Sequence, residues 1–186
     1  MKSSIFDWFF FLFWCFSLLF IVHTDKLSLH LFFNSLHSKI GDFVMPHFTN
    51  VGDGLFLLLM CLMTFLFRSK RLAILLFIAF LISSGLVQFL KHFVFDNHMR
   101  PMYVFQHVKG FHQIKDFHYH LFQSFPSGHS TSSFVLFTFI AMNFAKTWPI
   151  QILCFIGALF IAFTRVYLSQ HYFEDMFAGA MIGFLC

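Results

Sequence analysis

The chain has 186 residues, of which 59% are hydrophobic and 11% are charged, and its formal net charge is +4. A water-soluble domain of this length rarely carries so few charges, and several apolar runs approach the ~20 residues that a helix needs to cross a bilayer. The composition therefore excludes a soluble globular protein and indicates one membrane-embedded domain over residues 1–186. No basic stretch is interleaved with stacking aromatic residues, so we expect membrane lipids and no nucleic acid as partners.

Six apolar segments predict an all-α, polytopic bundle of six transmembrane helices. They are approximately residues 5–22, 54–67, 72–90, 130–144, 150–163 and 176–186. The first segment is long enough to span a bilayer and lacks a small-residue cleavage site, so it is not predicted to be a cleavable signal peptide. The sixth has only about eleven residues, too few to cross, so either the chain is truncated there or the helix ends within the membrane, and we favour truncation.

Between the first two segments, residues 27–44 have the pattern of an amphipathic helix. Leu29, Phe32, Phe33, Leu36 and Ile40 recur at helical spacing beside polar residues. We expect this helix to lie on the outer membrane interface, with a buried re-entrant segment as the alternative.

The basic residues predict how the helices are oriented in the membrane. Lys2, the cluster from Arg68 to Arg71, and Lys146 lie on alternate short connections, which the positive-inside rule places in the cytoplasm. The connections 22–53, 91–125 and 164–175 then face outward. This predicts a bacterial-type inner (cytoplasmic) membrane protein whose functional site is on the outer, periplasmic face.

Three polar clusters interrupt the apolar background at that outer face. The first contains Lys91 and Arg100-Pro101, the second is Pro126-Ser127-Gly128-His129, and the third contains Thr164-Arg165, His171 and Asp175. Because the fourth helix runs inward and the fifth returns, the predicted topology brings all three clusters to one rim. An accidental set of snorkelling cations and turn residues is the alternative, but ionised groups are costly within a membrane.

The residue types in these clusters suit a phosphate group. Ser127 is a good N-cap, and Gly128 allows close approach to helix amides that attract anions. Lys91, Arg100 and Arg165 supply positive charge. His171 and Asp175 are four residues apart and would share one helix face, so that the carboxylate fixes the imidazole tautomer and leaves the other nitrogen nucleophilic.

These motifs resemble those of the type 2 phosphatidic acid phosphatase superfamily, which includes vanadium haloperoxidases. The second motif is intact as Pro126 to His129, and the third has the family spacing from Thr164-Arg165 to His171 and Asp175. There are two departures. Thr164 replaces a serine, and eight residues rather than six separate Lys91 from Arg100. The resemblance covers the region from about residue 54 to the end.

The resemblance implies a six-helix membrane lipid phosphatase that needs no metal or other cofactor. It implies that His171 attacks phosphorus to form phosphohistidine, that Asp175 orients it, and that His129 protonates the leaving group and then activates water. The phosphoryl oxygens would be held by the remaining site residues, Lys91, Arg100, Ser127, Gly128 and Arg165. The candidate substrates are undecaprenyl diphosphate and lipid A phosphate, with phosphatidic acid or phosphatidylglycerophosphate as the alternative.

Other classes of function remain open at this stage. Six histidines crowd the connection 91–125, and the pair His118 and His120 has a spacing that could chelate a metal, although no recognisable zinc pattern is completed. A transporter or a haem protein is a second class, but His129 and His171 lie beside arginines at helix ends, which suits anions better. A haloperoxidase relative would need bound vanadate, and membrane embedding argues against it.

Overall fold

The computed structural model describes residues 4–186, and all regular structure in this part of the chain is helical. Lys2, one of the residues used to predict orientation, lies outside the described residues. The helices are α1 (Ile5–His23), α2 (Lys26–Ser35), α3 (Lys39–Phe48), α4 (Gly54–Phe67), α5 (Lys70–Phe89), α6 (Pro101–Phe105), α7 (Gly128–Asn143), α8 (Trp148–Tyr167) and α9 (Phe173–Leu185). A 3-10 turn (Thr49–Gly52) precedes α4, and a π-helical turn (Leu90–Val94) extends α5.

The all-α bundle predicted from the sequence is confirmed, because each of the six apolar segments lies in one helix: α1, α4, α5, α7, α8 and α9. By length and composition, three helical stretches are able to cross a membrane, Ile5–His23, Lys70–Val94 and Trp148–Tyr167. Their outer faces carry large apolar side chains, such as Phe16, which is 69% exposed. Such continuous apolar surface is stable against lipid and not against water.

The prediction of one amphipathic helix over residues 27–44 is wrong, because the structure has two helices, α2 and α3, with a break before Lys39. Ser38 causes the break by capping α3: its hydroxyl accepts a hydrogen bond from the Gly41 amide at 3.0 Å. The Tyr167 hydroxyl accepts from the Ser38 amide at 2.9 Å and holds the break against α8. Of the two helices, α2 is the one that buries side chains, among them His30 and Asn34.

A bend of 55° separates the stretch Lys39–Gly52 from α4, and the two together are long and apolar enough for a fourth span. Asp53 lies at the bend and caps α4, since its carboxylate accepts a hydrogen bond from the Leu55 amide at 2.7 Å. The geometry is that of a broken span or a re-entrant loop. The re-entrant segment considered for residues 27–44 is therefore compatible with the structure only from residue 39 onward.

Helix α7 is the centre of the bundle and packs against α4, α5, α8 and α9. Helix α9 approaches it closely, because Gly179 and Gly183 of α9 lie directly on the carbonyl groups of Ser127 and Thr131. The absence of side chains at these glycines allows the two backbones to approach. This approach places the first turn of α9 beside the first turn of α7, where the Ser127 amide donates to the Asp175 carbonyl at 3.0 Å.

We predict that Gly183→Ala destabilises the protein, because the new methyl group would collide with the Thr131 carbonyl and with the base of the Phe134 side chain. Overpacking of this kind costs about 1–3 kcal/mol. Gly85→Ala is the matched control, since nothing lies within 4 Å of an added Cβ there. It should be neutral or stabilising, because alanine favours a helix over glycine by about 0.5–1 kcal/mol. Thermal unfolding of both purified variants in detergent tests this, and equal melting temperatures would contradict the packing account.

Candidate active site

A cavity of about 360 Å³ opens at the end of the bundle where α5 and α8 finish and α7 begins. Six of the eight site residues predicted from the sequence line it: Lys91, Arg100, Gly128, His129, Arg165 and His171. The other two lie directly behind this lining, Asp175 against the His171 ring and Ser127 at the cap of α7. The structure therefore brings all three polar clusters together, while the chemical roles of these residues stay predictions.

His171 is held with one ring nitrogen toward a carboxylate and the other toward an arginine. Nδ1 lies 3.4 Å from Asp175 Oδ2, a contact too poorly aligned to count as a hydrogen bond. Catalytic contacts of this length commonly tighten when substrate binds. On the other side, Arg100 Nη1 lies 3.3 Å from Nε2. An arginine can only donate, so Nε2 carries the lone pair and Nδ1 carries the proton that faces Asp175.

The surroundings keep the His171 imidazole neutral. Only 1% of the residue is exposed, and burial together with the nearby Arg100 and Lys91 charges lowers the pKa of His171 well below its usual value. A neutral imidazole with its lone pair on Nε2 is the form that acts as a nucleophile.

The prediction that His171 and Asp175 share a helix face is wrong, although the two side chains do meet. His171 lies in the turn after α8, and α9 begins only at Phe173. The helix starts there because the Asp175 carboxylate accepts a hydrogen bond from the Tyr172 amide at 2.9 Å. The same Oδ2 atom accepts from the Ser124 hydroxyl at 2.5 Å. Two donors thus fix the carboxylate that faces His171.

Arg100 is anchored by carbonyl groups that surround its guanidinium. Nε donates to the Phe122 carbonyl at 2.7 Å, and Nη1 donates to both the main-chain and the side-chain oxygen of Gln170, at 3.1 and 3.0 Å. Burial lowers the pKa of Arg100 to about 10, which still leaves it protonated at neutral pH. Its position is therefore set before any ligand arrives.

Arg165 differs from Arg100 because it has few protein partners. It is 6% exposed, and Nη1 donates to the Thr49 hydroxyl at 3.0 Å. Its buried Nε has no hydrogen-bond partner within residues 4–186. Unused donors of a buried cation are costly unless a ligand satisfies them, so Arg165 has the donors suited to grip an anion.

Lys91 lines the cavity despite its eight-residue separation from Arg100. It lies in the π-helical turn Leu90–Val94 and is 9% exposed. Such turns are frequent at functional sites. The site thus contains three buried or nearly buried cations from three separate elements.

The first turn of α7 also lines the cavity. Ser127 caps the helix by accepting from the Ser130 amide at 3.3 Å. A Cβ at Gly128 would meet only Val87, at 3.7 Å, so packing does not require glycine here. Because glycine has no side chain, the amides of the first helical turn stay open to the cavity. His129 Nε2 lies 3.9 Å from the Asp53 carboxylate.

Four residues that hold this geometry were missed from the sequence: Thr49, Asp53, Ser124 and Gln170. Gln170 is adjacent to His171, and Ser124 lies just before the second motif. Their closeness to these motifs in the sequence was a usable signal that they belong to the site. Thr49 contacts Arg165 across 116 positions, and nothing in the local sequence indicates this contact.

The histidine-rich connection is mostly outside the cavity. His120 lines the cavity, and its ring centre lies 5.0 Å from that of His118. His112 instead pairs with Asp42 at 2.9 Å and stacks on His37. No group of three or more His, Cys, Asp or Glu residues with metal-binding geometry occurs in residues 4–186.

Comparison with known sequences gives one family and several relatives. The family model of the PAP2 superfamily matches residues 71–186. The lipid A 4'-phosphatase of Bacteroides thetaiotaomicron is 42% identical over 59 residues, which are 32% of this chain and 26% of that protein. The lipid A 1-phosphatase of Rhizobium etli is 39% identical over 62 residues, 33% of this chain and 25% of that protein. The matched region spans about a quarter of the length of these relatives.

Two solved structures share the fold. The crystal structure of Aquifex aeolicus LpxE has a TM-score of 0.73 and 27% sequence identity, covering 89% of this chain and 94% of that chain. The crystal structure of a transmembrane PAP2-type phosphatidylglycerolphosphate phosphatase from Bacillus subtilis has a TM-score of 0.70 and 24% identity, covering 95% of this chain and 89% of that chain.

Proposed function

Because this chain belongs to the PAP2 superfamily, we propose that it is a membrane phosphatase that removes phosphate from a lipid through a phosphohistidine formed on His171. The observation that carries the proposal is the placement of His171. Its neutral Nε2 faces a cavity lined by Lys91, Arg100 and Arg165, while Asp175 faces its Nδ1. Three cations suit the charge of a phosphoryl group, and a neutral imidazole suits attack on phosphorus.

In the first step, the Nε2 lone pair of His171 forms a bond to phosphorus as the bond from phosphorus to the lipid oxygen breaks. His129 donates a proton to that oxygen, so the lipid leaves as an alcohol, or as a monophosphate if the substrate is a diphosphate. The Nδ1 proton stays on His171, and Asp175 stabilises the positive charge that the ring acquires. Arg165 and Lys91 stabilise the charge on the equatorial oxygens in the transition state.

In the second step, His129 is neutral and accepts a proton from a water molecule that attacks phosphorus. The bond from phosphorus to Nε2 breaks, inorganic phosphate leaves, and His171 returns to its neutral form. Burial and the Arg165 and Lys91 charges lower the pKa of His129. The Asp53 carboxylate, 3.9 Å from His129, and the negative charge of an incoming phosphate instead favour the protonated form that this step leaves ready for the next cycle. Neither step requires a metal ion, since the cations of the site meet the phosphate charge.

We propose lipid A phosphate as the first candidate substrate, because the relatives from Bacteroides thetaiotaomicron and Rhizobium etli are named for it. The site is proposed to face the periplasm from a bacterial inner membrane. Arg68, Lys70 and Lys146 support this orientation, since they lie where α4 ends, α5 begins and α8 begins, at the end of the bundle away from the cavity.

Phosphate release by the purified protein in detergent tests the proposed activity. The panel is lipid A, undecaprenyl diphosphate, phosphatidic acid and phosphatidylglycerophosphate, each with EDTA present. We expect phosphate release from at least one lipid, with lipid A the best substrate. We also expect inhibition by vanadate, which mimics the trigonal-bipyramidal transition state of phosphoryl transfer. Activity that disappears in EDTA and returns with zinc or magnesium would contradict the metal-free mechanism. The His171→Ala protein, prepared identically, gives the background.

A second prediction separates the roles of the two histidines. His171→Ala should abolish turnover of every substrate, because the atom that bonds to phosphorus is removed. His129→Ala should slow phosphoenzyme formation from the lipid by about 10²–10⁴-fold, the usual loss for a general acid. With p-nitrophenyl phosphate this step should be much less impaired, since p-nitrophenolate leaves without a proton.

Rapid-quench measurement of phosphoenzyme formation with both substrates provides the comparison, and His107→Ala is the control because His107 is an exposed histidine of the same outer connection. If His129→Ala slowed phosphoenzyme formation equally with both substrates, the assignment of His129 as the acid would be wrong.

Cysteine labelling in intact cells tests the orientation. In a variant without the native cysteines, Gln113→Cys should react with a membrane-impermeant reagent from outside, because residue 113 is exposed on the connection that contributes Arg100 and His120 to the cavity. Lys146→Cys, at the opposite end, should react only after the inner membrane is opened. The reverse pattern would place the site in the cytoplasm.

A further inference from the structure

A second cavity, of about 370 Å³, lies between α4, α5 and α7 at the end of the bundle opposite the candidate active site. Its lining is almost entirely apolar and includes Met60, Met63, Leu136, Phe139 and Phe144. Arg68 is the one charged residue in the lining and follows directly after α4. The cavity is large enough for part of a ligand, since binding cavities usually measure about 300–1,000 Å³.

The depth of this cavity matches one leaflet of a bilayer. From Met60 to Arg68 the chain advances eight residues, mostly in α4, which is about 12 Å at ~1.5 Å per residue. Half of the hydrocarbon core of a bilayer is about 15 Å. An acyl chain that enters at Arg68 would therefore follow the cavity through most of one leaflet, with its head group at the level of the arginine.

The charges around the entrance are not balanced by the protein. Arg68, Lys70 and Arg71 form no ion pair within the described residues, and no Asp or Glu occurs between residues 54 and 95. Lys70 and Arg71 lie in the first turn of α5, where the helix dipole already places positive charge. An anion at this position would offset both contributions.

Two aromatic rings hold the cations at the entrance. The Arg68 guanidinium lies 5.7 Å from the centre of the Phe144 ring, which also lines the cavity, and the Lys70 ammonium lies 5.6 Å from the Phe65 ring. The first contact keeps the Arg68 charge at the cavity, whereas Phe65 is not part of the lining and holds Lys70 on the adjoining surface, two residues from Arg68. The combination of an apolar cavity of leaflet depth with basic residues at its entrance is the arrangement that binds anionic lipid head groups.

We propose that this cavity binds one acyl chain of an anionic phospholipid whose phosphate group lies between Arg68 and Lys70. The site is separate from the candidate active site and does not depend on the proposed phosphatase activity. Bound in this way, the lipid would fill the space between α4, α5 and α7 and neutralise the first turn of α5.

Site-resolved photocrosslinking tests the proposal. The full chain is placed in phosphatidylcholine nanodiscs with a small share of either phosphatidylglycerol or phosphatidylcholine that carries the same diazirine-labelled acyl chain. Mass spectrometry then measures labelling of residues 60–67 and 136–144. We expect phosphatidylglycerol to label both segments about 25-fold more than phosphatidylcholine, since two cations contribute about fivefold each, and the preference to fall about fivefold in Arg68→Gln and in Lys70→Gln.

Two further variants make the result specific. Lys109→Gln removes one exposed cation from the outer connection and should leave the preference unchanged. Met63→Trp should block the cavity and reduce labelling by both lipids, because Met63 lines it. Equal labelling by the two lipids, or a preference that survives the loss of both Arg68 and Lys70, would overturn the proposal. Lipid bound at the candidate active site would label segments other than 60–67 and 136–144, so the two sites are distinguished.

Discussion

The buried carboxylate of Asp175 lies where three segments of the chain meet, and the geometry of the cavity depends on it. Its Oδ2 atom accepts hydrogen bonds from the Ser124 hydroxyl and the Tyr172 amide, and it faces Nδ1 of His171. Its main-chain carbonyl accepts from the Ser127 amide at the start of α7. One residue therefore fixes the orientation of the histidine, the start of α9 and the position of the α7 cap. The approach of α9 to α7, which its glycines permit, brings these contacts within reach.

Around this carboxylate the two arginines, Arg100 and Arg165, differ in how many hydrogen-bond partners the protein gives them. Arg100 is surrounded by carbonyl groups and lies against Nε2 of His171, so it is positioned in advance and identifies the nucleophilic atom. Arg165 has Thr49 as its hydrogen-bond partner and retains a buried donor without one within residues 4–186. Burying an incompletely paired guanidinium is unfavourable, and a bound phosphoryl group would offset that cost. Arg100 is thus suited to position the histidine, and Arg165 is suited to bind the phosphoryl group.

The sequence predicted the parts of this arrangement that depend on local pattern. Hydrophobic length gave the six apolar helices, and the segment 54–67 matches α4 at both ends. Motif spacing gave the eight site residues that the fold brings together. The break between α2 and α3 was missed because the amphipathic pattern continues through Ser38, while the structure shows that the serine caps a new helix. The contact of Thr49 with Arg165 joins residues 116 positions apart, so it follows from packing and not from local sequence.

The central claim is that Nε2 of His171 forms the bond to phosphorus. Trapping the phosphorylated protein and determining which ring nitrogen carries the phosphate, by phosphorus NMR of the His171 peptide under alkaline conditions, tests this claim most directly. We expect phosphate on Nε2 of His171, because Nδ1 faces the Asp175 carboxylate and Nε2 faces the cations of the cavity. Phosphate on Nδ1, or on a residue other than His171, would contradict it.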